Sequence, residues 1–442
     1  MIESITIQNF LSIRKELTLS FVATREKDRL CGKGEWTEKH GGRKLSKMLF
    51  LFGNNAAGKT NIIAAIRTMR KIVLNVPLRR DSPIDFVPFI LDNTSRRKPT
   101  YMTITYFIGE ERYQYSISYN DKVIVEETLV LVTGTKHNII FNRTYDSNAD
   151  VTRIEYGRGC DMSSDDKLAL IKSTKVNGSV LATFWDNNMS SDVLKSNLLF
   201  FRDKIAFDMR EDENLADLLS LGTQTQQNNL KRIIIMFLRL IDSNINDYEI
   251  REEKRPIPKG FLERLSQLHP MEDVEDLLQK EYLPYKTVTF YHKNSKGRYP
   301  IGERFESDGT LQLIRLIAMG QFIIDNDITV FLDEECDSLH EIALKYLVLC
   351  YIQLSRRCQL VLAGQDTSFL ENKSFRRDSI RVIRKDLDGN TYIVEPSRGL
   401  YQRNINLQKY IYQLSGLDDS LYSESIYPEL SSFIEFVLKK WR

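Results

Sequence analysis

Two glycines, a lysine and a threonine carry the clearest chemical signal in the chain. Gly53, Gly58, Lys59 and Thr60 follow the spacing G-x-x-x-x-G-K-T. Glycines let the backbone curl so that successive N–H groups converge, and the start of a following helix adds partial positive charge. In this motif the lysine reaches the terminal phosphates of a nucleotide, and the threonine hydroxyl binds Mg²⁺. The spacing therefore predicts a site for a nucleoside triphosphate with Mg²⁺.

A pair of carboxylates lies far along the chain, directly after the apolar run Ile328–Leu332. We expect Asp333 to hold Mg²⁺, usually through water, and Glu334 to orient or deprotonate an attacking water. The carboxyl ends of strands are where open α/β sheets bind ligands, which suits this position. The alternative is an acid-rich helix start, favoured by the helix dipole. Beside the phosphate loop, the catalytic interpretation is favoured, and the pair predicts an ATP hydrolase.

A polar turn, Glu306–Thr310, precedes an apolar run with helical character. The start of a helix can bind an anion through its free N–H groups. The same residues also suit a helix cap, with Ser307 or Asp308 as the capping side chain. These two interpretations stay open at this point.

The residues around the phosphate loop predict the elements that position it. Lys47–Phe52 is a short apolar run, which predicts a buried strand entering the loop. Ile62, Ile66 and Met69 recur at helical spacing after it, which predicts a helix. Residues 1–22 alternate as two short strands, and the glycine-containing, polar residues 23–46 predict a loop.

Further along, Tyr101–Thr144 alternates with period two and predicts an antiparallel meander. Residues 146–285 favour helices without sustained heptads, so no long coiled-coil arm is expected. The fold class is therefore α/β, a P-loop ATPase head with a β-meander and a mostly helical insertion. The expected domains are 1–145 (N-terminal lobe), 146–285 (insertion), 286–415 (C-terminal lobe) and 416–442 (helical tail).

Composition limits the remaining function classes. The chain has 442 residues and a net charge of +2, too balanced for bulk charge to predict nucleic-acid binding. No apolar run reaches the roughly 18 residues that a membrane span needs. The five cysteines are dispersed, which argues against a disulfide framework and against a zinc site. The same dispersal favours the reducing cytoplasm as the location of the protein.

Two basic clusters remain as candidate contacts to a nucleic-acid backbone. The alternative for each is a solvated, salt-bridged surface. The first cluster contains Arg67, Arg70, Lys71, Arg79 and Arg80, and the second contains Arg376, Arg377, Arg381, Arg384 and Lys385.

The order of these motifs resembles the ABC-type ATPases of prokaryotic defence. That group includes the abortive-infection and OLD-like proteins, AriA of PARIS, PtuA of Septu and retron-associated ATPases. The resemblance is carried by Ile5–Phe10, the phosphate loop, the turn Glu306–Thr310 and the run Asp333–His340. It covers the two lobes, about residues 1–145 and 285–415, and implies an ABC/SMC-like fold for the ATPase head.

This resemblance implies an ATP sandwich. Ser307, Asp308 and Gly309 stand at the family's signature motif, which contacts the γ-phosphate bound to a partner subunit. The chain is therefore expected to form at least a homodimer, with Asp337–His340 as its D-loop. The implied contacts to ATP within one subunit are Gly53, Asn54, Asn55, Ala56, Ala57, Gly58, Lys59, Thr60 and Asn61.

One departure concerns the turn after the next strand, where the family often has a histidine and this chain has Gln365. Glutamine can hydrogen-bond a phosphate but carries no charge, which predicts slow turnover.

Three functions follow as hypotheses. The first is a defence ATPase that controls a separate effector, a nuclease or toxin encoded nearby. The second is a DNA-binding ATPase related to SMC proteins, acting in repair or chromosome maintenance. The third is a scaffold in which ATP serves as structural glue.

Overall fold

The computed structural model describes residues 1–24, 36–207, 214–240, 244–256, 282–333, 341–364 and 376–394. The chain divides into two compact units. The first unit contains residues 1–208, 323–337 and 348–442, and the second contains residues 209–322 and 338–347. The first unit thus takes in residues 146–208, which the sequence-based division places in the insertion.

The strands in the described ranges are β1 (Ile2–Gln8), β2 (Leu17–Ser20), β3 (Thr37–His40), β4 (Arg43–Ser46), β5 (Met48–Phe52), β6 (Thr100–Ile108), β7 (Glu111–Tyr119), β8 (Ile124–Thr133), β9 (Lys136–Asp146), β10 (Val151–Tyr156), β11 (Ile205–Phe207), β12 (Ile245–Pro256), β13 (Tyr282–Asn294), β14 (Gly297–Gly302), β15 (Thr329–Asp333), β16 (Gln359–Gly364), β17 (Ile380–Lys385) and β18 (Thr391–Val394). The helices are α1 (Lys59–Leu74), α2 (Ser164–Ser173), α3 (Val180–Asp186), α4 (Asp192–Asp203), α5 (Leu215–Leu219), α6 (Gln224–Leu240), α7 (Asp308–Asn326) and α8 (Glu341–Leu354). None of these helices is both long and apolar enough to cross a bilayer.

A six-stranded sheet carries the phosphate loop. Its strand order is β11-β15-β16-β5-β17-β18, and every neighbouring pair is parallel except β17 and β18. All five residues of β5 are buried, which explains the unbroken apolar run at this point. The predicted strand before the loop and the predicted helix after it are confirmed as β5 and α1.

A seven-stranded antiparallel sheet forms the second layer of the first unit. Its order is β10-β9-β8-β7-β6-β1-β2, so the first two strands of the chain extend the predicted meander. One apolar core includes residues from both sheets and from α1, α3 and α4. Tyr106 of β6 stacks on Phe200 of α4 with ring centroids 3.9 Å apart, which fixes α4 against the meander. Helices inside the predicted insertion are thus part of the head itself.

A fully buried ion pair ties the meander to α3. Glu127 of β8 and Arg143 of β9 face each other across the ladder, and both side chains are 0% exposed. The Glu127 carboxylate accepts hydrogen bonds from the Tyr115 hydroxyl and the Val180 N–H at the start of α3. Arg143 donates to the carbonyl oxygen of Val176 at 2.8 Å. Burial raises the pKa of Glu127, and the charge of Arg143 opposes that rise.

The second unit contains a three-stranded antiparallel sheet of order β12-β13-β14. Tyr248, Val288 and Phe290 are buried, and α5 and α6 pack in this unit against β13 and β12. The strand β12 lies within residues predicted as mostly helical. Its charged residues give little apolar alternation, so the pairing with β13, rather than local pattern, determines its conformation.

A second correction concerns residues 23–46, which the sequence predicted as a loop. Within them β3 and β4 pair across the turn Gly41–Gly42. Both glycines have positive φ, 51° and 80°, as a tight hairpin turn requires.

Candidate nucleotide-binding site

The phosphate loop leaves the sheet at the carboxyl end of β5 and enters α1. Within it the Ala57 N–H donates to the carbonyl oxygen of Asn54 at 3.1 Å. Ala56 has φ 63° and Gly58 has φ 108°, so two residues of the loop adopt positive φ, which L side chains disfavour. Asn54, Asn55 and Ala56 are exposed, whereas Gly58 is buried. The loop therefore presents one face outward and packs its other face against the protein.

Close packing explains both glycines of the motif. A Cβ atom on Gly58 would lie 2.2 Å from the hydroxyl oxygen of Thr391, and one on Gly53 would lie 2.6 Å from the carbonyl oxygen of Ile383. Neither approach is sterically allowed, and the φ of Gly58 also disfavours any side chain. The loop can take this shape only with glycine at both positions.

The start of α1 suits a phosphate. Its N-cap residue is Gly58, which offers no side chain to cap the helix, and its first turn contains no acidic residue. The first backbone N–H groups of a helix have no acceptor within the helix. Where no side chain caps them, they can bind an anion such as a phosphate. Thr60, in this first turn, is exposed. The residues present therefore fit a nucleotide phosphate.

Lys59 lies inside the loop. Its ammonium group donates to the carbonyl oxygen of Gly53 at 2.7 Å and to that of Asn54 at 3.3 Å, and the residue is 3% exposed. The ammonium group thus holds the curled loop together from within. Its charge would neutralise a phosphate bound by the N–H groups at the start of α1.

The acidic strand end reaches the same edge of the sheet. Asp333, the last residue of β15, pairs with Ala363 of β16, which in turn pairs with Leu51 of β5. Two strand spacings of about 4.8 Å put the Asp333 and Leu51 backbones about 10 Å apart. The sheet therefore brings the two motifs, which are remote in sequence, to the same edge, with Asp333 level with the residue two positions before Gly53.

The described residues contain no group of three or more His, Cys, Asp or Glu side chains that could hold a metal ion by themselves. Any Mg²⁺ here would depend on phosphate oxygens and water in addition to Thr60 and Asp333.

Residues that the sequence analysis did not identify support the loop from behind. Thr391 at the start of β18 donates its hydroxyl to the carbonyl oxygen of Ala57 at 2.9 Å, and it lies 2.7 Å from the hydroxyl of Ser12. Ser12 also accepts a hydrogen bond from the Asn61 amide at 2.6 Å. Asn61, predicted to contact the nucleotide, thus contacts Ser12. No sequence motif marks this network, because its members come from opposite ends of the chain.

The hydroxyl of Thr391 can be tested separately from its shape. Thr391→Val keeps the volume but leaves the buried carbonyl of Ala57 without this donor, and we expect nucleotide affinity to fall by about tenfold. Thr391→Ser keeps the hydroxyl and should stay within about twofold of the parent protein. Titration with a fluorescent ATP analogue measures both. Equal affinities for the two variants would contradict a role for this hydrogen bond.

The turn before α7 lies in the second unit. Ser307 accepts a hydrogen bond from the Thr310 N–H at 3.1 Å, so it caps α7. The capping interpretation of Ser307 is therefore correct. Ser307 and Asp308 are exposed, and Gly309 follows in the first turn of the helix. Capping leaves the exposed face of the turn open to a ligand.

Several predicted site residues lie outside the part of the chain that the structure describes. These are Glu334, Gln365 and the expected D-loop at 337–340. Their roles stay predictions.

The second basic cluster is not a surface patch. Arg376 is 3% exposed and pairs with Asp378 at 2.6 Å. Arg381 donates to the carbonyl oxygens of Asp378 and Ser20. In the first cluster, Arg70 donates to two carbonyl oxygens and Lys71 pairs with Asp85. These four of the ten cations thus already have partners within the protein, which weakens the case for either cluster as a nucleic-acid contact.

Residues 48–371 match a family model described as "AAA domain, putative AbiEii toxin, Type IV TA system". This range begins at β5 and extends past β16, so it contains the phosphate loop and the acidic strand end. No curated protein has significant sequence similarity to the chain.

Solved structures with a similar course are heads of SMC proteins. An SMC head bound to the C-terminal winged-helix domain of ScpA has a TM-score of 0.42 and 11% identity, covering 90% of this chain and 98% of that one. The SMC head domain from Thermotoga maritima has a TM-score of 0.40 and 12% identity, with coverage of 90% and 99%. An SMC head with an extended coiled coil, bound to the C-terminal domain of ScpA from Pyrococcus furiosus, has a TM-score of 0.38 and 11% identity, with coverage of 94% and 99%. Identities this low carry no functional assignment.

Proposed function

This chain belongs to the family described as "AAA domain, putative AbiEii toxin, Type IV TA system", and we propose that it hydrolyses ATP slowly between two paired copies of its head. The observation that carries the proposal is the uncapped start of α1, which follows a glycine loop at the sheet edge that Asp333 also reaches. A triphosphate is the ligand for which such an edge is suited.

Each predicted site residue would act on one part of the nucleotide or on the attacking water. The loop N–H groups and Lys59 bind the β- and γ-phosphates. Thr60 and Asp333 would hold Mg²⁺, which when bound neutralises charge on the phosphate oxygens. Glu334 follows Asp333 directly and orients the attacking water. Gln365 takes the place of a charged group near the γ-phosphate, and turnover is slow for that reason.

The second half of the site comes from a partner copy. Ser307, Asp308 and Gly309 present the start of α7 to the γ-phosphate held by the other subunit. ATP is then required for the two copies to pair, and hydrolysis of ATP lets them separate. The nucleotide state controls a separate effector in anti-phage defence, a nuclease or toxin encoded nearby.

Glu334→Gln tests turnover and pairing together. The variant keeps the size of the side chain but cannot accept a proton from water, so ATP hydrolysis should fall by about 10²–10³-fold while ATP still binds. The protein should then accumulate as an ATP-bound dimer. Light scattering after size exclusion, with and without ATP, measures this. Asp325→Asn, a change on α7, serves as the control.

Three results would contradict parts of the proposal. A Glu334→Gln protein with parental turnover would exclude this residue as the general base. A protein that loses turnover but stays monomeric in ATP would exclude the sandwich. Constant dimerisation with and without ATP would favour a scaffold.

A further inference from the structure

The turn Ser307–Thr310 is joined to the sheet of the second unit by a short link. Strand β14 ends at Gly302, a single 3-10 turn covers Glu303–Phe305, and α7 begins at Asp308. The Glu306 N–H donates to the carbonyl oxygen of Glu303 at 3.0 Å. So few residues leave little slack between the strand and the turn.

Local bonds shape the turn but do not aim it. The Ser307 hydroxyl accepts from the Thr310 N–H and donates to the Thr310 hydroxyl at 2.8 Å. The Leu311 N–H donates to the Ser307 carbonyl oxygen at 3.0 Å. All these bonds lie within the first turn of α7, so they move with the helix. The direction of the turn relative to the sheet therefore depends on contacts that reach beyond these bonds.

A side-chain contact supplies that constraint. Glu306 precedes Ser307 directly, and its carboxylate oxygen lies 2.5 Å from Nε2 of His292. The Glu306 side chain is 7% exposed, and the His292 side chain is 26% exposed. The carboxylate is an acceptor, so the imidazole nitrogen donates. Among the described residues, His292 is the one partner of this buried carboxylate.

The strand that carries His292 is held on both sides. β13 is the middle strand of its sheet, and His292 pairs with Ile245 of β12 and with Tyr299 of β14. A hydrogen bond from a middle strand to the residue before Ser307 therefore fixes the turn to a rigid support. Without His292 the nearly buried carboxylate would have to reach water, and Ser307 would move with it.

We infer that His292 and Glu306 are positioning residues, which aim the Ser307–Gly309 turn at the nucleotide held by a second copy of this chain. The inference rests on the proposed ATP sandwich and adds the device that orients its signature half. Neither residue touches the nucleotide.

His292→Phe removes the donor while keeping a flat ring. We expect the protein concentration for half-maximal ATP turnover to rise by about tenfold, because a misdirected turn weakens pairing. Affinity for a fluorescent ATP analogue, measured at concentrations where the protein is monomeric, should stay within about twofold. A general folding defect would raise that protein concentration, weaken binding of the ATP analogue and lower the melting temperature together. That result would overturn the inference.

A double variant and a control sharpen the test. His292→Phe with Glu306→Leu removes both polar partners, so no unpaired carboxylate remains, and pairing should recover to within about threefold of the parent. Tyr291→Phe is the matched control, because the Tyr291 hydroxyl donates to Glu249 from the neighbouring position of the same strand. Tyr291→Phe should leave the concentration dependence unchanged.

Ser307→Arg separates this inference from the sandwich itself. If Ser307→Arg abolishes ATP-dependent pairing and His292→Phe leaves it unchanged, the positioning role is wrong and the sandwich stands. If Ser307→Arg also pairs normally, the sandwich is wrong and the positioning role falls with it. Loss of pairing in both variants, with nucleotide affinity retained, supports the inference.

Discussion

Lys59→Ala is expected to lower ATP turnover by at least about 100-fold, the loss typical when one preorganised charge that stabilises a transition state is removed. The Lys59 ammonium group lies inside the loop, within hydrogen-bond distance of two carbonyl oxygens. It is also the cation that the motif itself supplies. Alanine therefore removes the bonds that keep the loop curled and, in the proposed function, the contact to the phosphates.

The measurement is phosphate release together with nucleotide affinity by calorimetry. Lys71→Ala is the matched control, because Lys71 lies on the same helix and its ion pair with Asp85 is exposed. Lys71→Ala should keep parental turnover. A Lys59→Ala protein with affinity and turnover within twofold of the parent would refute the proposed site.

Arg143→Met is expected to lower the free energy of unfolding by about 3–5 kcal/mol, the usual cost of leaving a buried charge without its partner. Methionine fills much of the volume, so the loss comes from Glu127, which stays buried. The effect should depend on pH. Burial already raises the pKa of Glu127, and removing the opposing charge of Arg143 raises it further. A folded-state pKa above the unfolded one gives stability that is present at low pH and lost as pH rises.

The stability deficit of Arg143→Met should therefore be larger at pH 7 than at pH 5. Urea unfolding at both values tests this. Arg143→Met with Glu127→Gln should recover most of the stability, because glutamine keeps an acceptor for the Val180 N–H without a charge. Arg153→Met serves as the control, since its pair with Asp146 lies at the surface. A deficit that does not change with pH would mean that Glu127 is not the cause.

The sequence predicted the elements nearest the phosphate loop because local pattern dominates there. The apolar run before Gly53 became β5, the helical spacing after Lys59 became α1, and the meander appeared where period two was strongest. Asp333 was predicted at a strand end, and it lies at the end of β15.

Non-local bonds were beyond the reach of such patterns. The hydroxyls of Ser12 and Thr391 are 379 positions apart in sequence, and nothing at either position signals the other. The prediction of helix for the residues of β12 was wrong for a related reason. Its residues have weak local preference, and the ladder with β13 supplies the energy that selects an extended strand.

The arrangement of strands around β5 has a consequence for synthesis. Its two neighbours, β16 and β17, both come from residues after position 358, and Thr391 comes later still. A ribosome adding about 5–20 residues per second needs roughly 20–70 s to pass from the phosphate loop to Thr391. For most of that interval, until residues 359–364 emerge, β5 lacks both of the strands that flank it in the sheet. The phosphate loop is therefore expected to take its final shape only late in synthesis, after Thr391 has been made.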